Sequence, residues 1–192
     1  MKKILIPGCI AISIFATSCN NKEEKTDSTE TAIQTDATQR DSMNSKANMG
    51  SDANFALDVA DGGMLEVKLG KLAQTNGSSA TVKELGKMME TDHTKAGEEL
   101  RAWAAKNNVS LPADLSLEKQ GKYAELAAKK GADFDKAYTD AMVQDHVMDI
   151  SAFEMQAAQA QNAELKAWAA ATLPVLRHHL EMSKKAADGL KK

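Results

Sequence analysis

From Ala53 onward apolar residues recur at intervals of three and four, close to the period of about 3.6 residues that an α-helix imposes, and no stretch alternates as a half-buried strand would. Four long helices are predicted. The first runs from about Asp52 to Thr75 with Phe55, Val59, Gly62, Glu66, Leu69 and Ala73 on one face, and it stops at Asn76-Gly77, where glycine can take the left-handed cap conformation. The second starts after Ser78 or Ser79, either of which can accept a backbone N–H. Its stripe is Val82, Leu85, Met89, His93, Ala96, Leu100 and Trp103, and Asn107-Asn108 and Pro112 close it. A short amphipathic helix follows, from about Ser116 to Lys130. The third long helix spans about Asp133 to Gln161 and places Tyr138, Met142, His146, Ile150, Phe153, Ala157 and Ala160 on one face. Asn162 can cap the fourth, whose stripe is Leu165, Trp168, Thr172, Leu176, His179 and Ser183; Pro174 within it removes a backbone donor and is expected to kink it. Four such stripes bury one another most simply in an all-α four-helix bundle with an additional short helix between the second and third long helices.

Ahead of this pattern the chain reads differently. Lys2 and Lys3 precede an apolar run from Ile4 through Ala16, followed by small residues, which is the layout of a secretory signal; the run is too short to span a membrane as a mature helix. Ala16-Thr17-Ser18-Cys19 resembles a bacterial lipobox, in which the cysteine is acylated and becomes the new N-terminus. The expected organisation is a removed signal peptide over residues 1–18, a lipid-anchored disordered polar tether over 19–52, and a helical domain over 53–192. Asn20 to Asp52 holds almost no large apolar side chain and cannot bury enough surface to offset the entropy of ordering. Lys22-Glu23-Glu24 resembles an export signal for the outer face of the outer membrane, and reads equally as the acidic start of a tether. The expected location is the cell outer membrane, lipid-anchored, on its periplasmic face or at the cell surface. The one other cysteine, Cys9, lies in the removed segment, so thiol catalysis and disulfide architecture are excluded from the mature chain.

Charge narrows the function classes. With Lys+Arg 24 against Asp+Glu 27 the net charge is −3, so no basic field exists to neutralise phosphates, and no nucleic-acid partner is expected. The chain has no phosphate-cradling glycine loop, no Gly-x-Ser-x-Gly elbow, no His-Glu-x-x-His and no Cys-x-x-Cys-His. Catalytic residues are therefore not assigned, and the reading leans away from an enzyme. Gly62-Gly63 reads as a point of close helix packing. Met89-Glu-Thr-Asp92-His93 and Met142-Val-Gln-Asp145-His146 share a Met-x-x-Asp-His string, an indication of two related helical hairpins.

Five ordered motifs carry a resemblance: Asp58-Val-Ala-Asp-Gly-Gly-Met-Leu-Glu66-Val-Lys-Leu-Gly, Met89-Glu-Thr-Asp-His93-Thr-Lys-Ala, Phe134-Asp-Lys-Ala-Tyr, Met142-Val-Gln-Asp-His146 and Thr172-Leu-Pro-Val-Leu-Arg-His-His179-Leu. Together, from about Asp52 to Ala187, they resemble domain of unknown function 4142, a bacterial envelope family often labelled as outer-membrane proteins. The resemblance implies a ferritin-like helical fold in the cell envelope and brings no established activity.

Glu66, His93, His146 and His179 each interrupt an apolar stripe, one on each long helix. Rises of about 1.5 Å per residue put His146 and His179 at nearly the same height, and Glu66 some 7 Å from His93 along the bundle. One reading is a metal site for a divalent transition ion, with Asp92 and Asp145 ligating or orienting the neighbouring imidazoles. The other is a buried polar network in which the carboxylates satisfy the imidazoles and fix the register of an Ala-rich bundle; a proton relay is a third. Glu90-x-x-His93 matches the di-iron spacing of ferritin-like proteins once, but His146 and His179 are preceded by Val143 and Leu176 at that position. Asp149 reads as a flank of the stripe, His178 as solvated, and the methionines as core filler. The function classes in play are a lipid-anchored, non-enzymatic binding or envelope-support module and a metal-binding or metal-handling bundle. Beyond the membrane reached through its anchor, no protein partner is identified.

Overall fold

The structure is a computed structural model describing residues 29–191, with side-chain surroundings from Gly50 onward. The chain divides into two compact units, 1–38 and 39–192. Within the first, residues 29–38 are helical.

Five helices make up the described chain: α1 (Thr29–Asn76), α2 (Ala80–Lys106), α3 (Leu117–Ala127), α4 (Gly131–Gln159) and α5 (Ala163–Gly189). No strand occurs among the described residues. The expected boundaries hold within a few residues except at the start of α1, which is helical well ahead of Asp52. Neither proline nor glycine interrupts residues 29–49, so nothing local stops the helix there, although the apolar stripe begins only later. Cys19 and the signal segment lie outside the described residues.

The turn contacts fix the direction of each helix. Asn76, at the end of α1, donates from Nδ2 to the carbonyls of Ala127 (3.4 Å) and Lys129 (3.1 Å), so the start of α4 sits at the α1–α2 turn. At the other end Asn162 Nδ2 donates to Asn107 Oδ1 at 2.9 Å, joining the α4–α5 turn to the end of α2. Helix α3 and its flanking loops therefore carry the chain back along the bundle. As a result α2 and α4 run parallel while each hairpin is antiparallel, the single-crossover connectivity of ferritin-like bundles.

The second helices of the two hairpins share length and register. Helices α2 and α5 each hold 27 residues, and Ser79 and Asn162 occupy the same capping position before them. In this register Glu66 corresponds to Asp149 and Asp52 to Asp135. The Met-x-x-Asp-His string is thus not the repeat, because it pairs the second helix of one hairpin with the first helix of the other. Each hairpin instead caps its neighbour. Buried Asp135 of α4 accepts the N–H groups of Ser78 (3.0 Å) and Ser79 (2.8 Å), and buried Asp52 of α1 accepts those of Gln161 (3.1 Å) and Asn162 (2.8 Å). Orphan donors at two helix starts are satisfied by carboxylates that also suit the positive end of the helix dipole.

Packing comes closest at Gly70 and Gly86. A Cβ on Gly86 would lie 2.5 Å from Ala73 Cβ and 2.7 Å from the Gly70 carbonyl, whereas a Cβ on Gly62 or Gly63 would meet nothing within 4 Å. Close helix approach therefore falls at Gly70 and Gly86, not at Gly62-Gly63 as the sequence suggests. Gly86→Ala is expected to destabilise by about 1–3 kcal/mol through overpacking. Gly62→Ala should be neutral or stabilise by up to about 1 kcal/mol, since a mid-helix glycine carries only its entropy penalty there. Urea titration of both variants checks the opposite signs.

Candidate metal centre

Glu66, His93, His146 and His179 come from α1, α2, α4 and α5, and all four are buried. The three imidazoles form a near-equilateral triangle, with ring centroids 5.5 Å apart for His93–His146 and 5.2 Å for both His93–His179 and His146–His179. Glu66 meets His93 directly, its Oε2 lying 2.9 Å from Nδ1. The height mismatch counted along the backbone is closed by the side chains, because every Cα–Cβ bond leans toward its own helix N-terminus. Glu66 lies nearer the α1–α2 turn and leans away from it, while His93 lies farther off and leans toward it. His146 and His179 converge in the same way across the second hairpin.

The hydrogen bonds fix the tautomers. His146 Nδ1 lies 2.9 Å from the Met142 carbonyl, which can only accept, so the proton is on Nδ1 and Nε2 presents a lone pair. His179 donates from Nε2 to Asp92 Oδ2 at 2.9 Å, leaving Nδ1 bare. His93 Nδ1 lies 2.9 Å from Glu66 Oε2, a contact that puts the proton on Nδ1 when the carboxylate is ionised, and its Nε2 is buried without a partner. Each imidazole thus spends its one proton outward, on an oxygen, and turns its unprotonated nitrogen inward. His146 Nε2 and His179 Nδ1 face each other at 3.2 Å. Two lone pairs at that distance repel unless a proton or a cation lies between them.

A proton is disfavoured there. Burial holds His93, His146 and His179 down at about 4, against an ordinary value of 6.5. A metal ion suits the distance. With metal–nitrogen bonds of about 2.0–2.1 Å and tetrahedral angles, two ligand nitrogens stand about 3.3 Å apart. One ligand atom from each of the three histidines lies within 4.8 Å of the others. A second grouping, Glu66, His146 and Asp149, meets the same distance criterion. Its nearest imidazole nitrogen to Glu66 is His146 Nδ1, 3.6 Å from Oε1, and that nitrogen already carries the proton given to Met142. This second group is a carboxylate pair beside the triad. Burial raises Glu66 and Asp149 to about 7, and the Glu66 charge pushes Asp149 further the same way.

These shifts act in opposite senses on the stability of the metal-free protein. The depressed histidines contribute stability that is complete above pH 6.5 and lost as pH falls toward 4, because the unfolded chain takes up protons first. The raised carboxylates contribute stability that is complete below their ordinary values of 4.5 and 3.8 and lost as pH rises through 7. Asp149→Asn removes one opposing group. The melting temperature of the metal-free variant is therefore expected to fall further between pH 7 and pH 5 than that of the metal-free wild type; an equal or smaller fall contradicts the assignment.

Several roles expected from the sequence change place. Asp92 orients His179 on another helix, not its neighbour His93. Asp145 makes no hydrogen bond to any imidazole and sits 4.0 Å from Lys122 Nζ on the α3 side. Asp149, read as a flank, joins the cluster; its position three residues after His146 on the same face was the available signal. Glu90 turns away from His93 to accept from Gln74 Nε2 at 2.7 Å, which breaks the one Glu-x-x-His match to a di-iron site. His178 is exposed, as expected.

A cavity of about 360 Å³ touches the triad from one side. His93, His179, Glu66 and Asp92 border it, whereas His146 is not part of its wall. The arrangement offers three nitrogen donors, each meeting an oxygen on its outer side, with one side bordered by this cavity. That is the layout of a centre with an exchangeable coordination position. No curated protein and no solved structure matches the chain. The family described as Domain of unknown function (DUF4142) matches residues 36–186, from within α1 to near the end of α5, and the chain belongs to it.

Proposed function

We propose that this protein is a metal-binding helical bundle held at the cell envelope through a lipid on Cys19, with a divalent transition metal ligated by His93, His146 and His179. One observation carries the reading: three buried imidazoles each meet an oxygen on their outer nitrogen and converge on their other nitrogens, two of which stand 3.2 Å apart. A purely structural polar network would pair those nitrogens with donors. Here His93 Nε2 has none, and the His146–His179 contact sets lone pair against lone pair. Nitrogen donors without a thiolate suit zinc or a neighbouring first-row ion. Glu66 and Asp92 act behind the ligands, fixing tautomer and ring orientation. Metal analysis of the protein purified without a polyhistidine tag tests this: about one equivalent of a transition metal is expected, and its persistence in a His93, His146 and His179 triple alanine variant would sink the reading.

The location rests on the sequence of the first 24 residues, with its charged start, apolar run and lipobox-like Ala16-Thr17-Ser18-Cys19. Wild-type protein is expected to partition into detergent with acyl chains attached, and Cys19→Ser to release or mislocalise it. Recovery of processed wild-type protein free of acyl groups would count against lipidation.

A further inference from the structure

The cavity beside the triad is larger than an ion and its water require, and its walls are mostly apolar. It is lined by residues of α1, α2, α4 and α5, Phe153 and Trp168 among them, and reaches His93 and His179. Its volume of about 360 Å³ falls within the range of small-ligand pockets, roughly 300–1,000 Å³. Glycines maintain the space. Gly62, Gly63 and Gly97 line it from two helices; a Cβ on the first two would meet nothing within 4 Å, and one on Gly97 would meet only Arg101 Nη1, at 3.8 Å. Mid-helix glycines that neither pack closely nor take a left-handed conformation lower helix stability without a structural return. An open volume beside the histidines is the feature they preserve.

The ligand class follows from the two ends of this space. At the inner end the three ligand nitrogens carry no charge, and of the carboxylates that border the same end Glu66 and Asp92 are turned to His93 and His179, so the open side of a divalent ion there favours an anionic donor as the next ligand. His93 Nε2, buried and unpartnered, belongs to a residue in the wall at that end. Along the rest lie aliphatic and aromatic side chains. His179 and Trp168 both border the cavity and are eleven residues apart on α5, about 16 Å along the helix, enough for an extended medium-length alkyl chain. The exposed cations Lys68, Lys71 and Arg101 are among its lining residues, Lys71 also lying 3.7 Å from Glu90 Oε1, and they draw anions toward it.

Resting on the metal assignment above, we infer that the cavity binds a medium-chain carboxylate, its head group on the histidine-held metal and its alkyl chain between α1, α2 and α5. The test uses full-length protein loaded with cobalt(II), whose visible absorption reports a change of ligand, and titrates decanoate, acetate and decanol. Decanoate is expected to bind at least tenfold more tightly than either of the others. Gly62→Leu and Gly97→Leu, which place a side chain in the cavity from different helices, are each expected to weaken decanoate at least tenfold while cobalt content and acetate binding stay at the wild-type level. Circular dichroism identifies which of the two keeps its helix content and is scored. Decanoate binding no tighter than acetate or decanol, or untouched by a folded glycine variant, overturns the inference. Cobalt content judges the metal assignment separately, through its dependence on His146, which lies outside the cavity wall. If His146→Ala takes up cobalt like the wild type, that assignment falls. Dialysis of radiolabelled decanoate against the metal-free protein then decides the cavity on its own: retention lost in Gly97→Leu supports a chain-binding space, and no retention overturns it.

Discussion

Zinc is expected to raise the stability of the metal-free protein by about 2.7 kcal/mol when its free concentration stands a hundredfold above its dissociation constant, the gain that linkage gives to a ligand bound by the native state alone. His146→Ala should remove most of that gain. His146 is fully buried, and its Nε2 is one of the two nitrogens held 3.2 Å apart, so its loss takes away both a donor and the geometry of the pair. Asp92→Asn offers a milder cut. Asp92 is part-exposed and touches the site through His179 Nε2, so the fold should survive while metal affinity falls by about 10–100-fold, as it does when a residue that orients a ligand is lost. Thermal melts with and without chelator, followed by titration of zinc, manganese, iron and copper, measure both effects. A polar-network role for the histidines leads to a different result: added metal does little, and each His→Ala costs about 1–3 kcal/mol by stranding a buried partner. Metal-induced shifts that do not depend on the three histidines would rule the centre out.

Trp103→Ala is expected to destabilise the bundle by about 3–5 kcal/mol, at the upper end for single core substitutions. The indole is 7% exposed, packs with Ala56, Leu100 and Leu165, and donates from Nε1 to Asn162 Oδ1 at 2.9 Å. That same oxygen accepts the Leu165 N–H at 3.0 Å to cap α5. Truncation thus opens a cavity between α2 and α5 and loosens the cap that fixes where α5 begins. Trp168→Ala should cost clearly less. Its ring stacks obliquely on Phe153 at 5.4 Å, but it is half-buried and its Nε1 reaches exposed Glu99. Equal treatment of the two tryptophans, natural from their stripes alone, is corrected by the structure. Chemical denaturation gives both values, and a Trp103 variant within about 1 kcal/mol of wild type would contradict the packing described.

The all-α class and most helix limits were legible because burial on one face of a helix leaves a 3.6-residue period, and because a cap such as Asn162 is local chemistry; Ser79 holds the cap position of α2 without a side-chain bond, and Asp135 from α4 accepts its N–H instead. The four polar residues on apolar stripes were legible for the same reason: a buried face has to be read as such before an exception on it stands out. Family membership followed from ordered motifs and is borne out over residues 36–186. Tertiary structure decided how those residues meet. Only the crossover by α3 determines that α2 runs parallel to α4, and only the lean of side chains toward their helix N-termini brings Glu66 onto His93. Which nitrogen each imidazole turns inward depends on partners far away in sequence, Asp92 for His179 and Glu66 for His93, and no spacing rule reports that. The same holds for the glycines. Gly62-Gly63 and Gly70 look alike in a one-dimensional pattern, yet Gly70 meets Gly86 while Gly62 and Gly63 border a cavity, because the distance between two helices belongs to neither of them. The sequence by itself determined what each helix offers to the interior; the three-dimensional packing alone decided that three bare nitrogens and an open space are offered to the same point.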